Sequence, residues 1–290
     1  MANNERENLF FKDIKERFSS NQIKANTVQF RRNMVVLGAM VSRNIKTQYR
    51  RSVLGILWTM LAPLLNMIVL TIVFSRLFGR NNINMDYPIY VLSGNIVFTF
   101  MRVATSTALT SLVDNYDMMM KTRIEYEVFP ISKAISSMVN FGFSCVALII
   151  VMLVRILQHV ENVGFHWSML LTIVPWLPFY LLFVAGISLI LSVIYVRFRD
   201  IKHIYTVVLT LWTYLTPLFY SLDSLHLSDT VMTIMKLNPM YYYVTFFREI
   251  IQGQIPSLTT QMVCYGCGVV MFIIGWVCFR LAKKRIILYI

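Results

Sequence analysis

The sequence predicts an all-α integral membrane protein, and three observations carry that expectation. Of 290 residues, 57% are hydrophobic and only 14% charged, too few charges to cover a soluble domain of this length. The apolar residues gather in runs of about 20, the length a helix needs to cross a hydrocarbon core of roughly 30 Å. The basic residues concentrate in alternate connections between those runs.

Six spans are expected, at Val53–Phe74, Pro88–Val113, Ala134–Leu157, Trp167–Val196, Ile204–Tyr220 and Gln261–Leu281. With the N-terminus in the cytoplasm, and with Arg155 and Arg280 at span ends counted to the adjoining segments, the inner side holds 21 of the 27 Lys and Arg and the outer side five, which leaves Arg102 alone within the body of a span. That asymmetry places both termini on the cytoplasmic side. It also accounts for the net charge of +13 without nucleic acid, for which no recognition motif is present. No cleavable signal peptide is expected, because the first 30 residues are polar and the first long apolar run starts near Val53.

Ahead of the first span, residues 1–29 read as a polar cytoplasmic segment and residues 30–52 as an amphipathic helix. Phe30, Met34, Leu37, Val41, Ile45 and Tyr49 recur at three- and four-residue steps, with Arg32, Arg43, Lys46 and Arg50 opposite. A helix of this kind leading into a span lies in the membrane interface, against lipid headgroups. The membrane domain then runs over residues 53–282, and residues 283–290 form a cytoplasmic tail.

In the second span Asn95, Thr99, Arg102 and Ser106 share one face; in the fifth, Thr206, Thr210, Thr213, Thr216 and Tyr220 do. Shorter stripes occur in the third span (Ser137, Asn140, Ser144) and the first (Gly55, Thr59, Ala62, Asn66). Small and hydroxyl residues favour helix packing, which explains the last two. Arg102 asks for more: an intramembrane cation faces a wet cavity, a partner or an anionic ligand, and no carboxylate within a span is its counter-ion. The expected conduit lining is therefore Asn95, Thr99, Arg102 and Ser106, with Thr210, Trp212, Thr213 and Tyr220.

Between the fifth and sixth spans, Ser228 or Asp229 opens a short helix ending at Asn238-Pro239. A second runs from Met240 to Gln252, with Gly253 as its stop. Both are too short to span, yet Tyr241, Tyr242, Tyr243, Phe246, Phe247, Ile250 and Ile251 are too apolar for a free loop. Two short re-entrant helices on the outer side satisfy both facts. A seventh span is the competing arrangement.

Catalytic and metal-binding motifs are not found. Cys264 and Cys267 form a CxxC without a second pair or neighbouring His, and Cys145 and Cys278 also lie in apolar runs, so no metal site is expected. There is no GxxxxGK[ST], HExxH or GxSxG, and no intramembrane carboxylate pair or His relay. The chain is expected to be no enzyme, to bind no cofactor, and to draw energy from another subunit.

The stretch NIKTQYRRSVLGILWTMLAPL, residues 44–64, resembles the start of the membrane subunit of type-2 ABC exporters, in particular the branch that exports O-antigen, capsular polysaccharide and teichoic acid. LSGNIVFTF at 92–100, EVFPISKAI at 127–135, IYVRFRDIKHI at 194–204 and LNPMYYYVTFFREIIQG at 237–253 follow in the same order. The resemblance implies a permease homodimer working with two ABC ATPase chains, which hold ATP and Mg, in a bacterial cytoplasmic membrane. It implies a coupling helix at about 114–128, with Asp114, Asn115, Asp117, Lys121, Arg123, Glu125 and Glu127 towards the ATPase and Pro130 as its stop. The outer pair at 228–253 becomes a gate with Asn238, Pro239, Tyr241, Tyr242 and Arg248. The cargo implied is a lipid-linked glycan, whose phosphate is received by Arg31, Arg32, Arg43 and Arg50. The alternatives are an exporter of a drug or small lipid with the same fold, and a membrane-embedded glycosyl or phosphoglycosyl transferase.

Overall fold

Apolar runs that cannot present backbone polar groups to lipid must close them internally, and every regular element among the described residues is a helix. The computed structural model describes residues 20–49, 57–77, 85–121, 124–160, 163–164, 168–221 and 229–289. Its helices are α1 (Ser20–Tyr49), α2 (Leu57–Leu77), α3 (Tyr87–Leu109), α4 (Ser111–Asp114), α5 (Tyr116–Lys121), α6 (Val128–Leu157), α7 (Ser168–Arg197), α8 (Ile201–Leu215), α9 (Asp229–Lys236), α10 (Pro239–Ile251) and α11 (Leu258–Tyr289). Among the described residues, α3, α6, α7 and α11 are long and apolar enough to cross a membrane, and Leu57–Val73 of α2 is a shorter apolar helix.

The helices sort by what they expose. α2 turns Leu65, Ile68, Val69 and Ile72 outward, α6 turns Ile149, Ile150, Leu153 and Val154, and α11 turns Val270, Ile273, Ile274 and Val277. Such surfaces suit lipid tails. α3 is the centre, packed by α2, α6, α7, α8 and α10. α7 and α11 run against each other over much of their length. At their crossing Gly186 and Gly275 face each other so closely that a Cβ on either would overlap the other helix's backbone. Small residues permit this approach where no hydrophobic force drives helices together.

The middle of the bundle is aromatic. Tyr180 of α7 stands 4.7 Å from Tyr243 of α10 and 5.3 Å from Phe100 of α3, ring centre to ring centre. Trp176 stands 4.9 Å from Tyr180 and 5.3 Å from Phe247. Phe141 of α6 closes the cluster 5.4 Å from Phe100. A second apolar cluster at the other end joins Met40 of α1, Leu112, Met119 of α5, Val128 and Phe129 of α6, and Phe279 and Ile286 of α11.

Several boundaries differ from expectation, for local reasons. The third apolar helix begins at Val128 rather than Ala134, because Pro130 falls in its first turn, where a missing N–H costs nothing. Pro130 therefore starts α6 instead of stopping a coupling helix. Residues 114–128 are not one helix: α4 ends at Asp114, α5 covers Tyr116–Lys121, and a turn leads into α6. The fifth helix stops at Leu215, five residues early. Thr216 is extended (φ −100°, ψ 127°) ahead of Pro217, and a residue before proline is disfavoured in the helical region. At 15 residues α8 is about 22 Å long. The N-terminal amphipathic helix starts at Ser20, ten residues before the expected position.

Where α3 begins and α6 ends, Arg155 donates to both carboxylate oxygens of Asp86, at 2.5 and 2.9 Å. The two-point pair joins residues 69 positions apart, and its bidentate geometry adds specificity as well as energy. Asp86→Asn is expected to lower the melting temperature by the loss of about 1.5–3 kcal/mol, the worth of a charge-assisted hydrogen bond. A melting curve in detergent checks this, and an unchanged midpoint would show the pair to be incidental.

Candidate functional site

α3 inverts the pattern of its neighbours. Its exposed residues are Arg102, Ser106 and Thr107, with Asn95 and Thr99 half-buried on the same side. An apolar helix surrounded by others and open only along a polar face offers that face to water or to another chain, not to lipid. Thr99 donates to Asn95 Oδ1 at 3.3 Å and Thr107 to Val103 O at 2.8 Å. Arg102 has no carboxylate partner among the described residues. The four α3 residues expected to line a conduit are thus brought together on one open face.

The α8 stripe is different. Thr206, Thr210, Thr213 and Thr216 each donate to the carbonyl four residues back, at 2.7 to 3.1 Å. Thr210 is exposed and Thr213 half-buried, but their hydroxyls are already served. Trp212 donates from Nε1 to Asn238 Oδ1 at 2.8 Å, and Tyr220 donates to Tyr214 O at 2.5 Å. Trp212 is therefore engaged with the turn between α9 and α10 rather than presenting a free edge.

The α9–α10 pair forms at the expected places. Asn238 caps α10 by accepting from Met240 N at 3.0 Å, Pro239 takes the first helical position, and Gly253 ends the helix with φ 71°. Asn238 Nδ2 also donates to Thr216 Oγ1 at 2.8 Å and Leu215 O at 3.3 Å, so the turn between the short helices is fastened to the end of α8. Tyr241 and Tyr242 are half-buried and pack edge to face, 5.1 Å apart. Arg248 points inward and is only 8% exposed. It donates to Pro217 O (2.9 Å), Leu218 O (3.0 Å) and Tyr90 O (3.1 Å), and its Cζ lies 3.5 Å from the centre of the Tyr90 ring. Tyr87 donates to Phe219 O at 2.9 Å and Tyr90 to Tyr220 O at 2.7 Å. Tyr87 and Tyr90 were not singled out from the sequence. The Thr216-Pro217 break was the available signal, since it strips carbonyls of their helical donors.

At the opposite end α1 lies against the start of α6. Among its described side chains Met40 is the buried one, whereas Met34, on the expected apolar face, is 53% exposed. Asn44 Nδ2 donates to Ser136 Oγ at 3.3 Å, and Lys133 donates to Asn44 Oδ1 at 3.2 Å. These polar neighbours rotate α1 relative to a face that simply maximises apolar area. Arg31 and Arg32 are exposed; Arg43, also exposed, donates to Asn115 Oδ1. Arg50 and Arg123 lie outside the described residues.

Of the residues expected at an ATPase-facing surface, Asp114, Asp117 and Lys121 are exposed. Asn115 and Glu127 are buried: the first joins Arg43 and donates to Ser111 O at 2.7 Å, and the second pairs with Lys283 at 3.6 Å. Glu125 pairs with Lys283 as well. Through Lys283 these two carboxylates hold the turn before α6 to α11. No group of acidic, His and Cys side chains suited to a metal ion occurs among the described residues, and the four cysteines are unbridged.

Membrane-length helices around a central helix with one open polar face define a multi-pass membrane protein of the transporter class. The pattern of the ABC-2 type transporter family matches residues 35–252, and the chain belongs to that family. It is similar to the O-antigen export system permease protein RfbA of Myxococcus xanthus, 28% identical over 237 residues that cover 81% of this chain and 88% of that one. Two proteins of the same name from Klebsiella pneumoniae are 22% and 23% identical over 250 residues, 86% of this chain and 93% of theirs.

Proposed function

We propose that this chain is the membrane subunit of an ATP-driven exporter that carries a polyprenyl-linked polysaccharide across a bacterial cytoplasmic membrane. The observation that carries the reading is the near full-length similarity to O-antigen export permeases. Capsular and teichoic-acid polymers are cargoes of the same chemistry. A separate ABC ATPase binds ATP and Mg, two copies of each chain make the working unit, and both termini of this chain lie in the cytoplasm.

The geometry supports the division of labour. With the basic residues inside, α1 lies at the cytoplasmic interface, where exposed Arg31 and Arg32 attract the lipid phosphate. α5, with its flanking turns, is the segment that meets the ATPase. α3, α8 and their copies in a second subunit enclose the conduit, so that the open polar face of α3 meets water and glycan instead of lipid. The six-span count follows when α2 and the interrupted α8 are added to the four long helices. The re-entrant path of α9–α10 has a depth argument: Tyr180 reaches both Val97 O (2.7 Å) and Met240 Sδ (4.0 Å). Val97 lies ten residues into α3, about 15 Å below its outer end, so the Asn238-Pro239 turn reaches the middle of the membrane.

Deleting the gene should remove the surface glycan and leave lipid-linked glycan in the cell, and the wild-type chain should restore display. Arg102→Gln should restore it at a rate lower by roughly tenfold or more, the effect of losing a charge-assisted contact, with the protein still inserted and folded. Unchanged surface glycan in the deletion strain would turn the reading towards a drug or small-lipid cargo. Full export by Arg102→Gln would remove Arg102 from the conduit.

A further inference from the structure

Because α8 breaks at Thr216, the carbonyls of Pro217, Leu218, Phe219 and Tyr220 are left without a helical ladder. Unwound backbone at membrane depth persists only where protein or a wet cavity satisfies it. Here all four carbonyls accept from three side chains of other helices: Arg248 of α10, and Tyr87 and Tyr90 of α3. Arg248 is the centre of the arrangement. It is buried, has no carboxylate partner among the described residues, and its two terminal nitrogens serve three backbone oxygens on two segments. A cation taken out of water is costly unless its donors are placed. An apolar residue would fill the space more cheaply, so what the arginine supplies is position.

We propose that Arg248 is the positioning residue of the outer seal, fastening the unwound end of α8 to α10 and α3 so that this end and the α9–α10 hairpin move as one body. The proposal rests on the membrane orientation and transport role given above. Asn238 supplies the second fastening, at Leu215 and Thr216, and Trp212 the third. The guanidinium suits the task because its planar fork reaches two successive carbonyls while its face lies on Tyr90; lysine has one point of charge and no such fork. Gly94 is part of the same fit. A Cβ there would stand 2.6 Å from Arg248 Nη2 and 3.4 Å from Leu218 Cδ2, so Gly94→Ala displaces the guanidinium while leaving its charge in place.

The test uses the full chain with its ATPase in vesicles loaded with carboxyfluorescein, and the same variants in cells. Leu218, fully buried, is replaced by Cys in a background whose four native cysteines are Ala, and labelling by a membrane-impermeant maleimide is timed. Arg248→Met and Gly94→Ala should each speed labelling by roughly tenfold to a hundredfold, as expected for losing charge-assisted hydrogen bonds that hold a segment shut. Both should leak dye without ATP, with Arg248→Lys in between and basal ATP hydrolysis unchanged. If Arg248→Met does not accumulate as folded protein, Tyr87→Phe, which removes one donor and keeps the ring, is read in its place. Unchanged labelling in the folded variants overturns the proposal. Faster labelling with neither leak nor altered export also overturns it, since the contact would then be structural alone. Should the gene prove irrelevant to surface glycan, the cargo reading fails while the labelling and leak differences still stand or fall by themselves.

Discussion

Replacing Gly275 with leucine is expected to leave almost no folded protein to extract. Gly275 of α11 meets Gly186 of α7, and a Cβ at Gly275 would stand 2.8 Å from Gly186 Cα and 2.9 Å from its carbonyl carbon. The obstacles are backbone on a helix that is itself packed against α3, so neither side yields by changing a rotamer. One extra methylene in a tight interior already costs about 1–3 kcal/mol. A leucine at a helix crossing must separate the helices and forfeit the packing on which membrane helices depend, with an expected cost above about 4 kcal/mol. Gly275→Ala should fall between leucine and the native chain. Yield of monodisperse protein in detergent, followed by a melting curve, measures both. A leucine variant with native yield and melting would mean that the two helices do not cross this closely.

The second large effect is expected at Met119. α5 is only six residues long and cannot be stable alone; its buried anchor is Met119, which is 5% exposed and belongs to the apolar cluster that also holds Met40, Leu112, Val128, Phe129, Phe279 and Ile286. The cluster that takes in Met119 also draws members from α1, α6 and α11, so it is where the segment proposed to meet the ATPase joins the bundle. Removing a buried methionine costs about 2–5 kcal/mol, and a carboxylate in its place adds the cost of an unpaired buried charge. Met119→Asp should release α5 and abolish ATP-driven export, while the far aromatic cluster around Tyr180 and Tyr243 keeps the membrane helices together. Met120→Asp, one residue on and exposed, should leave the melting curve unaltered. Coupled ATP hydrolysis and export in vesicles, with the melt as control, separate loss of coupling from loss of fold. Native export by Met119→Asp would show that α5 does not transmit the ATPase's motion.

Much of the helix plan was legible because its causes are local. Apolar runs long enough to close their own hydrogen bonds placed α3, α6, α7 and α11. Asn238-Pro239 and Gly253 placed the ends of α10 through capping geometry that spans only a few residues. The early stop of α8 was also written in Thr216-Pro217, and the start of α6 in Pro130, but a window of hydropathy passes over both. The polar face of α3 was readable as a stripe. That it is the open face of an otherwise enclosed helix was not, since exposure depends on the five helices packed around it.

What the sequence by itself determined, then, is the membrane class, the approximate positions of the long apolar helices, the segregation of basic charge and the family. Each follows from hydrogen-bond closure, apolar run length or residue order along one stretch of chain. Only the tertiary structure decided that Met40 and not Met34 anchors α1, that Glu127 and Asn115 turn inward, and that Arg248 grips the end of α8. Arg248 and Tyr90 are 158 positions apart, and no periodicity within either segment can tell which buried donor will meet which freed carbonyl. Packing settles that pairing, because in a medium without water every exposed backbone oxygen must find its donor among the side chains folding brings to it.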